Sequence, residues 1–273
     1  MRLSGSVGVG GEERSWMLLG GRSGRGVLFR VTLAGLLASV LGALVVAAPA
    51  SASAPTPVTC GEAITAPGHY VLASDCSGDG IRIEASGVRL KLAGHTIDGM
   101  GCSFSDGISA SGVDGLRIQG PGTITGYFVG IFLDSVNDSR VEKVTLSSNC
   151  DDGVLASGSR DRFSQNVASF TSSGSGFQVG GTDNRYMNNT ADHNQGAGIG
   201  IQPSSRDNLV QGNEVTDNGR DGILVNSSAT ANTIRANTAR GNGRFDLADF
   251  NAGCDANDWV ANRFGTANQP CIN

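Results

Sequence analysis

A glycine followed by an apolar residue recurs through the middle of the chain, with a second apolar residue two positions later. Each of these units also contains a second apolar stretch about ten residues after its glycine, as at Leu116 and Ile118. Apolar residues at every second position, such as Phe177 and Val179, are typical of β-strands with one buried face. The anchor glycines are 23, 23, 23, 22 and 24 residues apart, at Gly107, Gly130, Gly153, Gly176, Gly198 and Gly222.

The length of the repeat selects the architecture. Helical repeats need more than about 30 residues and propeller blades about 40 or more, whereas units of about 20 to 25 residues suit a solenoid of strands. The units also lack the several leucines at fixed offsets that a leucine-rich repeat requires. Each unit is therefore predicted to form one coil of short strands that stack on the coils before and after it.

Two columns of asparagine keep the same phase as the glycines. Asparagine adopts left-handed turns readily, and identical amides stacked about 4.8 Å apart can pass hydrogen bonds from coil to coil. We therefore expect structural ladders, and not ligand sites, at these positions. The first column holds Asn166, Asn189, Asn213, Asn237 and Asn262, and the second holds Asn149, Asn194, Asn218 and Asn242.

These anchors, the asparagine columns and the segment Gly-His-Thr-Ile-Asp-Gly at residues 94–99 resemble a known group of proteins. They resemble the secreted bacterial proteins of the pectin-lyase-like superfamily, and the likeness runs from Cys60 to the C-terminus. The resemblance implies an all-β fold, a right-handed parallel β-helix of about eight coils with disulfide-tied end caps. It implies little about function, because the superfamily includes lyases, hydrolases, epimerases and adhesins.

The N-terminal residues have the layout of a secretory signal. Arginines precede an apolar run at residues 31–48, and small residues follow, so we expect cleavage after Ala52. Met17 is an alternative start, and a retained membrane helix is the alternative to cleavage. We therefore expect a secreted, extracellular protein. The predicted division is 1–52 signal peptide, 53–78 N-terminal cap, 79–250 β-helix repeats and 251–273 C-terminal cap.

Charge narrows the class of partner. The chain has 20 basic and 25 acidic residues, and removal of residues 1–52 leaves 15 and 23, a net charge of −8. Phosphate binding needs a basic face, so this balance argues against nucleic acid. The expected partner is a polysaccharide, in particular an acidic one, bound by a monomer that has no membrane contact after signal cleavage.

The six cysteines all follow the predicted signal. An even number in an exported chain indicates disulfides, and the absence of a C-x-x-C motif or a nearby histidine pair argues against a metal site. Cys102 and Cys150 lie two coils apart, roughly 9.6 Å at strand spacing, so their bond requires the loop at residues 99–105 to bend. Proximity in sequence pairs Cys60 with Cys76 and Cys254 with Cys271, and elimination then pairs Cys102 with Cys150.

Carboxylates that precede the anchor glycines supply the candidate catalytic residues. Asp106 and Asp152 fall in one column two coils apart, roughly 9.6 Å, near the upper end of the separation that inverting glycosidases use. The alternative is that an aspartate before glycine is an ordinary turn residue. The full candidate set is Asp106, Asp151, Asp152, His193 and Asp221.

The catalytic motifs of related enzymes are incomplete in this chain. Asp151-Asp152 falls at the phase of the aspartate pair that polygalacturonases use. The coils on either side lack the further aspartate and the Gly-His-Gly that would complete that site. No cofactor is expected, except that a lyase would add calcium.

Two groups of residues are candidates for glycan binding. The first is a column of arginines, which Asn208 and Asn232 are predicted to continue, and the second lies on the outer face of the first strand of each coil. Stacked guanidinium groups could bind the carboxylates of a polyuronate. Alternatively, they could form surface ion pairs with Asp114, Asp138, Asp161 and Asp183. The candidates are Arg89, Arg117, Arg140, Arg162 and Arg185 in the column, and Phe132, Gln178 and Gln202 on the first-strand face.

Two functions remain open at this point. One is a non-catalytic β-helix protein that binds polysaccharide or a surface partner through its solenoid face. The other is a polysaccharide lyase or glycoside hydrolase that acts on a polyuronate. Because no catalytic motif is complete, the sequence favours binding.

Overall fold

The computed structural model describes residues 54–103 and 105–273. The predicted signal peptide lies outside these residues. Within them, no helix has the length and apolar character needed to cross a membrane.

Three parallel sheets, named A, B and C, form the faces of a solenoid, and each full coil contributes one strand to B, then A, then C. Sheet A contains β1 Thr56–Val58, β3 Gly68–Leu72, β6 Val88–Lys91, β9 Arg117–Gln119, β12 Arg140–Glu142, β15 Arg162–Ser164, β18 Arg185–Met187, β21 Leu209–Gln211, β24 Thr233–Arg235 and β27 Asp258–Val260. Sheet B contains β2 Ala63–Ile64, β5 Ile81–Ile83, β8 Ile108–Ser111, β11 Ile131–Asn137, β14 Val154–Ser159, β17 Phe177–Val179, β20 Ile199–Ile201, β23 Ile223–Val225 and β26 Leu247–Asp249. Sheet C contains β4 Cys76–Ser77, β7 Thr96–Ser103, β10 Thr123–Tyr127, β13 Thr145–Ser147, β16 Val167–Ser169, β19 Thr190–Asp192, β22 Glu214–Thr216 and β25 Thr238–Arg240.

The fold is the predicted right-handed parallel β-helix, with about nine coils instead of eight. The extra coil is made by β2, β3 and β4, which lie in the segment assigned to the N-terminal cap. This coil has no anchor glycine, but Ile64 and Leu72 are buried and supply its inward positions. A short 3-10 helix, Ala252–Cys254, lies near the C-terminal end of the solenoid.

The core is the column of space that the three sheets enclose. Inward residues of one coil lie directly over those of the next, as Ile131 of β11 lies between Ile108 and Val154. Phe163 and Tyr186 stack in the same way, with ring centroids 4.5 Å apart. Since side chains alternate across each strand, the outward positions form equally regular columns on the surface.

Close approach of successive coils explains the repeated glycine. A Cβ atom on Gly107, Gly130 or Gly153 would lie 2.6, 2.7 or 2.6 Å from the carbonyl oxygen of the next anchor glycine. These distances are shorter than real Cβ contacts, so no other residue fits without a shift of the backbone. The sequence period therefore records the positions where one coil touches the next.

The predicted asparagine columns form buried ladders, and the structure adds a third ladder between sheets B and A. In each ladder a side-chain oxygen accepts the backbone N–H one coil below, as Asn208 Oδ1 accepts from Asn184 N at 2.9 Å. The third ladder contains Ser139, Asp161, Asn184, Asn208, Asn232 and Asn257. Asn208 and Asn232 therefore do not continue the arginine column, where Leu209 and Thr233 stand instead.

Asp161 occupies a ladder position that asparagine holds in the next coils, and this makes stability depend on pH. Burial raises the pKa of Asp161 from 3.8 to about 7. Its contribution to stability is therefore complete below pH 3.8 and is lost as the pH rises through about 7. We expect Asp161→Asn to raise the free energy of unfolding at pH 8 by on the order of 2 kcal/mol.

Urea unfolding at pH 5 and pH 8 measures this effect. The exposed Asp183 provides the control, because Asp183→Asn should leave the pH dependence unchanged. Equal pH profiles for Asp161→Asn and the wild type would contradict the assignment.

All three predicted disulfides are confirmed. Their Cα–Cα distances are 5.6 Å for Cys60–Cys76, 5.6 Å for Cys102–Cys150 and 6.1 Å for Cys254–Cys271. Cys102 reaches Cys150 because β7 extends to Ser103 and shifts its register against β10, so that Ser103 pairs with Tyr127.

Candidate functional site

A groove of about 520 Å³ runs across several coils at the edge where the chain enters sheet B. Residues that precede strands of sheet B line most of the groove, and residues of the last coils line one end of it. Three of the five candidate catalytic residues line it, together with the glycan-binding candidate Gln178. These are Asp151, Asp152 and Asp221.

Small residues in two coils keep the groove open. In register, Ser175 and Ala197 separate Asp152 from Asp221 in one column. The turns before them contain Gly174 and Gly196, and a Cβ on Gly174 would lie 2.6 Å from Asp152 Oδ1. The two aspartates are three strand spacings apart, roughly 14 Å, which leaves a trough longer than a single side chain.

Asp152 has one oxygen bound and one free. Only 5% of the residue is exposed, and its Oδ1 accepts a hydrogen bond from Ser175 N at 2.7 Å. Its Oδ2 accepts no hydrogen bond from the described residues. Burial raises the pKa of Asp152 to about 7, and the neighbouring charge of Asp151 acts in the same direction. Asp152 is therefore a carboxyl group that gains or loses a proton near neutral pH.

Asp221 has a different environment, because both of its carboxylate oxygens accept hydrogen bonds from Arg244. Arg244 Nε donates to Asp221 Oδ1 at 2.9 Å and Nη2 donates to Oδ2, while the Asp221 side chain is fully buried. The guanidinium of Arg244 also lies over the ring of Phe250, 4.9 Å from its centroid. Asp221 thus fixes Arg244 against an aromatic ring that is 44% exposed.

The remaining polar groups of the groove point to a hydroxylated or anionic ligand. Arg220 is exposed, and its guanidinium group has no ion-pair or hydrogen-bond partner within residues 54–103 and 105–273. Gln178 Nε2 donates to Ser175 Oγ at 3.1 Å, and Asn226 Nδ2 donates to Ile201 O at 2.9 Å. The side-chain amide oxygens of Gln178 and Asn226 accept no hydrogen bond from the described part of the chain, so they can accept one from a ligand.

Other predicted residues lie outside this groove. Asp106 does occupy the predicted column with Asp152, but it lines a separate depression with Phe132 and Arg82. Burial raises the pKa of Asp106. Gln202 lies in the next outward column of sheet B and does not line the groove.

His193 also lies outside the groove, in the turn after β19. Its Nδ1 is 3.1 Å from Asp192 Oδ2, and its ring stacks on Phe170 with centroids 5.2 Å apart. Both contacts are local to the turns after sheet C.

The arginine column forms as predicted on the outer face of sheet A. The five residues are exposed and stand directly opposite one another in neighbouring strands, as Arg140 stands between Arg117 and Arg162. The expected ion pairs are wrong, because in the described residues none of the five has an acidic partner. Asp138 binds Arg160 at 2.7 Å, Asp114 accepts from Asn137 and Asp161 is buried in its ladder.

Calcium is the cofactor expected of a lyase. No group of three or more His, Cys, Asp or Glu side chains in the described residues is arranged to hold a metal ion.

Arg220, Arg244 and Phe250 line the groove but are not among the candidate residues that the sequence predicts. Phe250 follows Gln202 and Asn226 at steps of 24 residues, so its column could be found by counting. The bond between Arg244 and Asp221 depends on the reach of a long side chain across one coil, which the spacing does not reveal.

Comparison with protein families agrees with this architecture. Residues 129–265, just over half of the chain, match the family described as right handed beta helix region. The chain therefore belongs to the right-handed β-helix family. A comparison with curated proteins finds no match.

Solved structures with the same fold include enzymes that act on polysaccharides. Pectate lyase Pel9A is 16% identical with a TM-score of 0.54, and the match covers 78% of this chain and 71% of the lyase chain. The A-module of the Azotobacter vinelandii mannuronan C-5 epimerase AlgE6 is 18% identical with a TM-score of 0.52, and 76% of this chain covers 64% of it. A mutant of the periplasmic alginate epimerase AlgG is 14% identical with a TM-score of 0.50, and 71% of this chain covers 58% of it. At these identities the likeness shows the fold alone.

Proposed function

We propose that this chain is an exported, monomeric polysaccharide-binding protein that holds an acidic glycan in the groove of sheet B. The observation that carries the proposal is the combination of the free Asp152 Oδ2 with the unpaired Arg220 in one trough. Sugar hydroxyls can donate to carboxylate and amide oxygens or accept from a protonated carboxyl group, and uronates add a carboxylate that a guanidinium binds well.

The groove also offers a surface for the apolar face of a sugar ring. Phe250 is held in place by Arg244, and Leu224 also lines the groove. Ligand sites usually combine such an apolar surface with a few fixed polar groups. The solved neighbours are named for pectate and alginate, which makes uronate oligosaccharides the first ligands to test.

Removal of the free guanidinium tests the proposal. We expect Arg220→Gln to weaken binding of trigalacturonate or trimannuronate about tenfold, because one charge-assisted contact is lost. Isothermal titration calorimetry at pH 6 measures this. Arg206→Gln is the matched control, since Arg206 is exposed but does not line the groove. Equal losses in the two variants would contradict a site at Arg220.

Binding should also depend on pH through Asp152. Its carboxyl group is ionised at pH 8 and mostly protonated at pH 6, so repulsion of a uronate falls as the pH is lowered. We expect the affinity for trigalacturonate to rise roughly threefold to tenfold from pH 8 to pH 6. Asp151, Arg220 and the Asp221–Arg244 pair also face the groove. These groups are unchanged in the variant Asp152→Asn, so a comparison of the two proteins reports on Asp152.

The variant Asp152→Asn isolates this effect, because its amide does not titrate. Its affinity should be the same at pH 6 and pH 8. A variant that keeps the full pH dependence of the wild type would show that another group is responsible.

Catalysis on the same glycan is the second candidate function. The observation that favours it is the proton that Asp152 can donate near neutral pH, as a general acid for a leaving sugar must. Incubation with polygalacturonate and alginate, with and without calcium, tests it. New reducing ends indicate hydrolysis and unsaturated ends indicate elimination, and both must disappear in Asp152→Asn. If wild type and variant give equal product, Asp152 is not the acid.

A further inference from the structure

The outer face of sheet A carries a row of arginines that the groove of sheet B does not explain. The row consists of Arg89, Arg117, Arg140, Arg162 and Arg185, one in each of five successive coils, and is named the arginine ladder here. All five side chains are exposed. Parallel strands lie about 4.8 Å apart, so the ladder presents positive charges at a regular interval along the solenoid axis.

Such a row is unfavourable for the protein alone. Like charges directly opposite each other on neighbouring strands destabilise a sheet. Counter-charges from the protein do not relieve this repulsion, because within the described residues the five guanidinium groups make no ion pair or hydrogen bond. Arg160, in the adjoining turn, shows the contrast: its guanidinium binds both oxygens of Asp138 at 2.7 Å.

Other ionisable residues border the ladder. His69 stands directly below Arg89 in β3, and Lys91 occupies the next outward position of β6. Acidic residues lie nearby as well: Glu142 faces outward from the neighbouring row, and Asp114, Asp138 and Asp183 are exposed in the turns before sheet A. The chain as a whole has a net charge of −5, so this basic face is a local departure from an acidic protein.

The lower end of the ladder is concave. A depression of about 510 Å³ lies over Arg89, Arg117 and Arg140, with Pro55 and Tyr70 along its side. A ligand placed there would contact guanidinium groups along its length and Pro55 at its flank.

We propose that the arginine ladder is a second binding site, which takes a linear acidic polysaccharide lying along the solenoid axis. A polymer with one carboxylate or sulfate on each sugar matches a row of evenly spaced cations by charge and by direction. Each guanidinium can bind such an anion through two parallel hydrogen bonds. The site lies on a different sheet from the groove and does not depend on the function proposed for the groove.

Retention on immobilised polygalacturonate, compared with its fully methyl-esterified form, tests this site because the two polymers differ in charge. Wild-type protein should be retained by the acidic form, and salt should release it as screening increases. We expect Arg140→Gln to weaken binding about tenfold and the triple variant Arg117→Gln, Arg140→Gln, Arg162→Gln to keep only the weak retention that the groove provides. Arg160→Gln is the matched control and should bind as wild type, because that guanidinium is already paired.

Further arms separate the ladder from the groove and from general attraction to anions. The triple variant should still bind trigalacturonate in the groove, and Arg220→Gln should still be retained by the polymer. The melting temperature of the triple variant should equal or exceed that of the wild type, since repulsion between the ladder arginines is removed. Retention on dextran sulfate as well would show that the ladder reads anionic charge on a sugar polymer, and retention on polygalacturonate alone would show a preference for carboxylates.

Three results would overturn the proposal. One is full retention of the triple variant, and another is equal retention of the wild type by the methyl-esterified polymer. The third is equally tight binding of a single-stranded oligonucleotide of matched charge, which would remove the assignment to polysaccharide.

Discussion

Alanine in place of Gly153 is expected to destabilise the β-helix by about 3 kcal/mol, the upper range for overpacking of a rigid core. The new Cβ would lie 2.6 Å from Gly176 O and 2.9 Å from Ala168 Cβ. Neither atom can move alone, because Gly176 belongs to the next coil and Ala168 is fully buried in sheet C. The free energy of unfolding in urea measures the effect.

Gly200→Ala is the control for this substitution. Its Cβ would meet the side-chain oxygen of Gln178 at 2.9 Å, the far end of a flexible side chain. We expect the control to lose less than about 1 kcal/mol. Equal stability of Gly153→Ala and wild type would contradict the explanation of the glycine repeat as a set of backbone contacts.

Loss of one ladder asparagine should be at least as severe. Asn213 accepts bonds from Asn189 N at 2.8 Å and from Asn189 Nδ2 at 3.1 Å. It donates to Tyr186 O and Asn237 Oδ1, both at 2.9 Å. Asn213→Ala leaves several of these buried groups without a partner, at about 1 to 3 kcal/mol each, so we expect a total loss of about 4 kcal/mol.

Glu214, the next residue, provides the control because it is exposed and outside the ladder. Glu214→Ala should change the free energy of unfolding by no more than about 0.5 kcal/mol. If Asn213→Ala unfolds at the same urea concentration as Glu214→Ala, the ladder does not hold the coils together.

Much of this fold is predictable from the sequence because both stabilising features recur once per coil. The anchor glycines mark where backbones touch, and the asparagine columns mark the turns, so counting residues recovers the architecture. The first coil was missed because its inward residue Ile64 follows Ala63 and not a glycine.

Counting fails where a turn gains one residue. From Arg185 a step of 23 residues reaches Asn208, whereas the structure pairs Arg185 with Leu209, 24 residues away. The neighbouring asparagine column signals the shift, because its step from Asn189 to Asn213 is also 24 residues. This single residue separates a buried ladder asparagine from the surface column of arginines.

The candidate site was predictable only in part for a related reason. Asp152 and Asp221 each directly precede an anchor glycine and Asp151 precedes Asp152, and the structure brings all three to one groove. Which of them keeps a free oxygen depends on Ser175 N and on Arg244, contacts that involve side-chain reach and burial. Likewise, the acids beside the arginine ladder were expected to pair with it because of their closeness in sequence. Of these acids, Asp114, Asp138 and Asp161 bind other partners instead.

The two sites occupy different faces of one rigid solenoid. The groove offers a few fixed groups suited to a short stretch of sugar, whereas the arginine ladder offers repeated charge suited to a long polymer. A protein with both would be held on an acidic glycan by sheet A while sheet B binds part of the same or another chain, with a gain in overall affinity.

The crystal structure of the protein with bound trigalacturonate tests the central claim most directly. The account predicts electron density for the sugar in the groove of sheet B, with a carboxylate on Arg220, a hydroxyl on Asp152 Oδ2 and a ring against Phe250. Density for the ligand on another face, with the groove empty at saturating ligand, would contradict it.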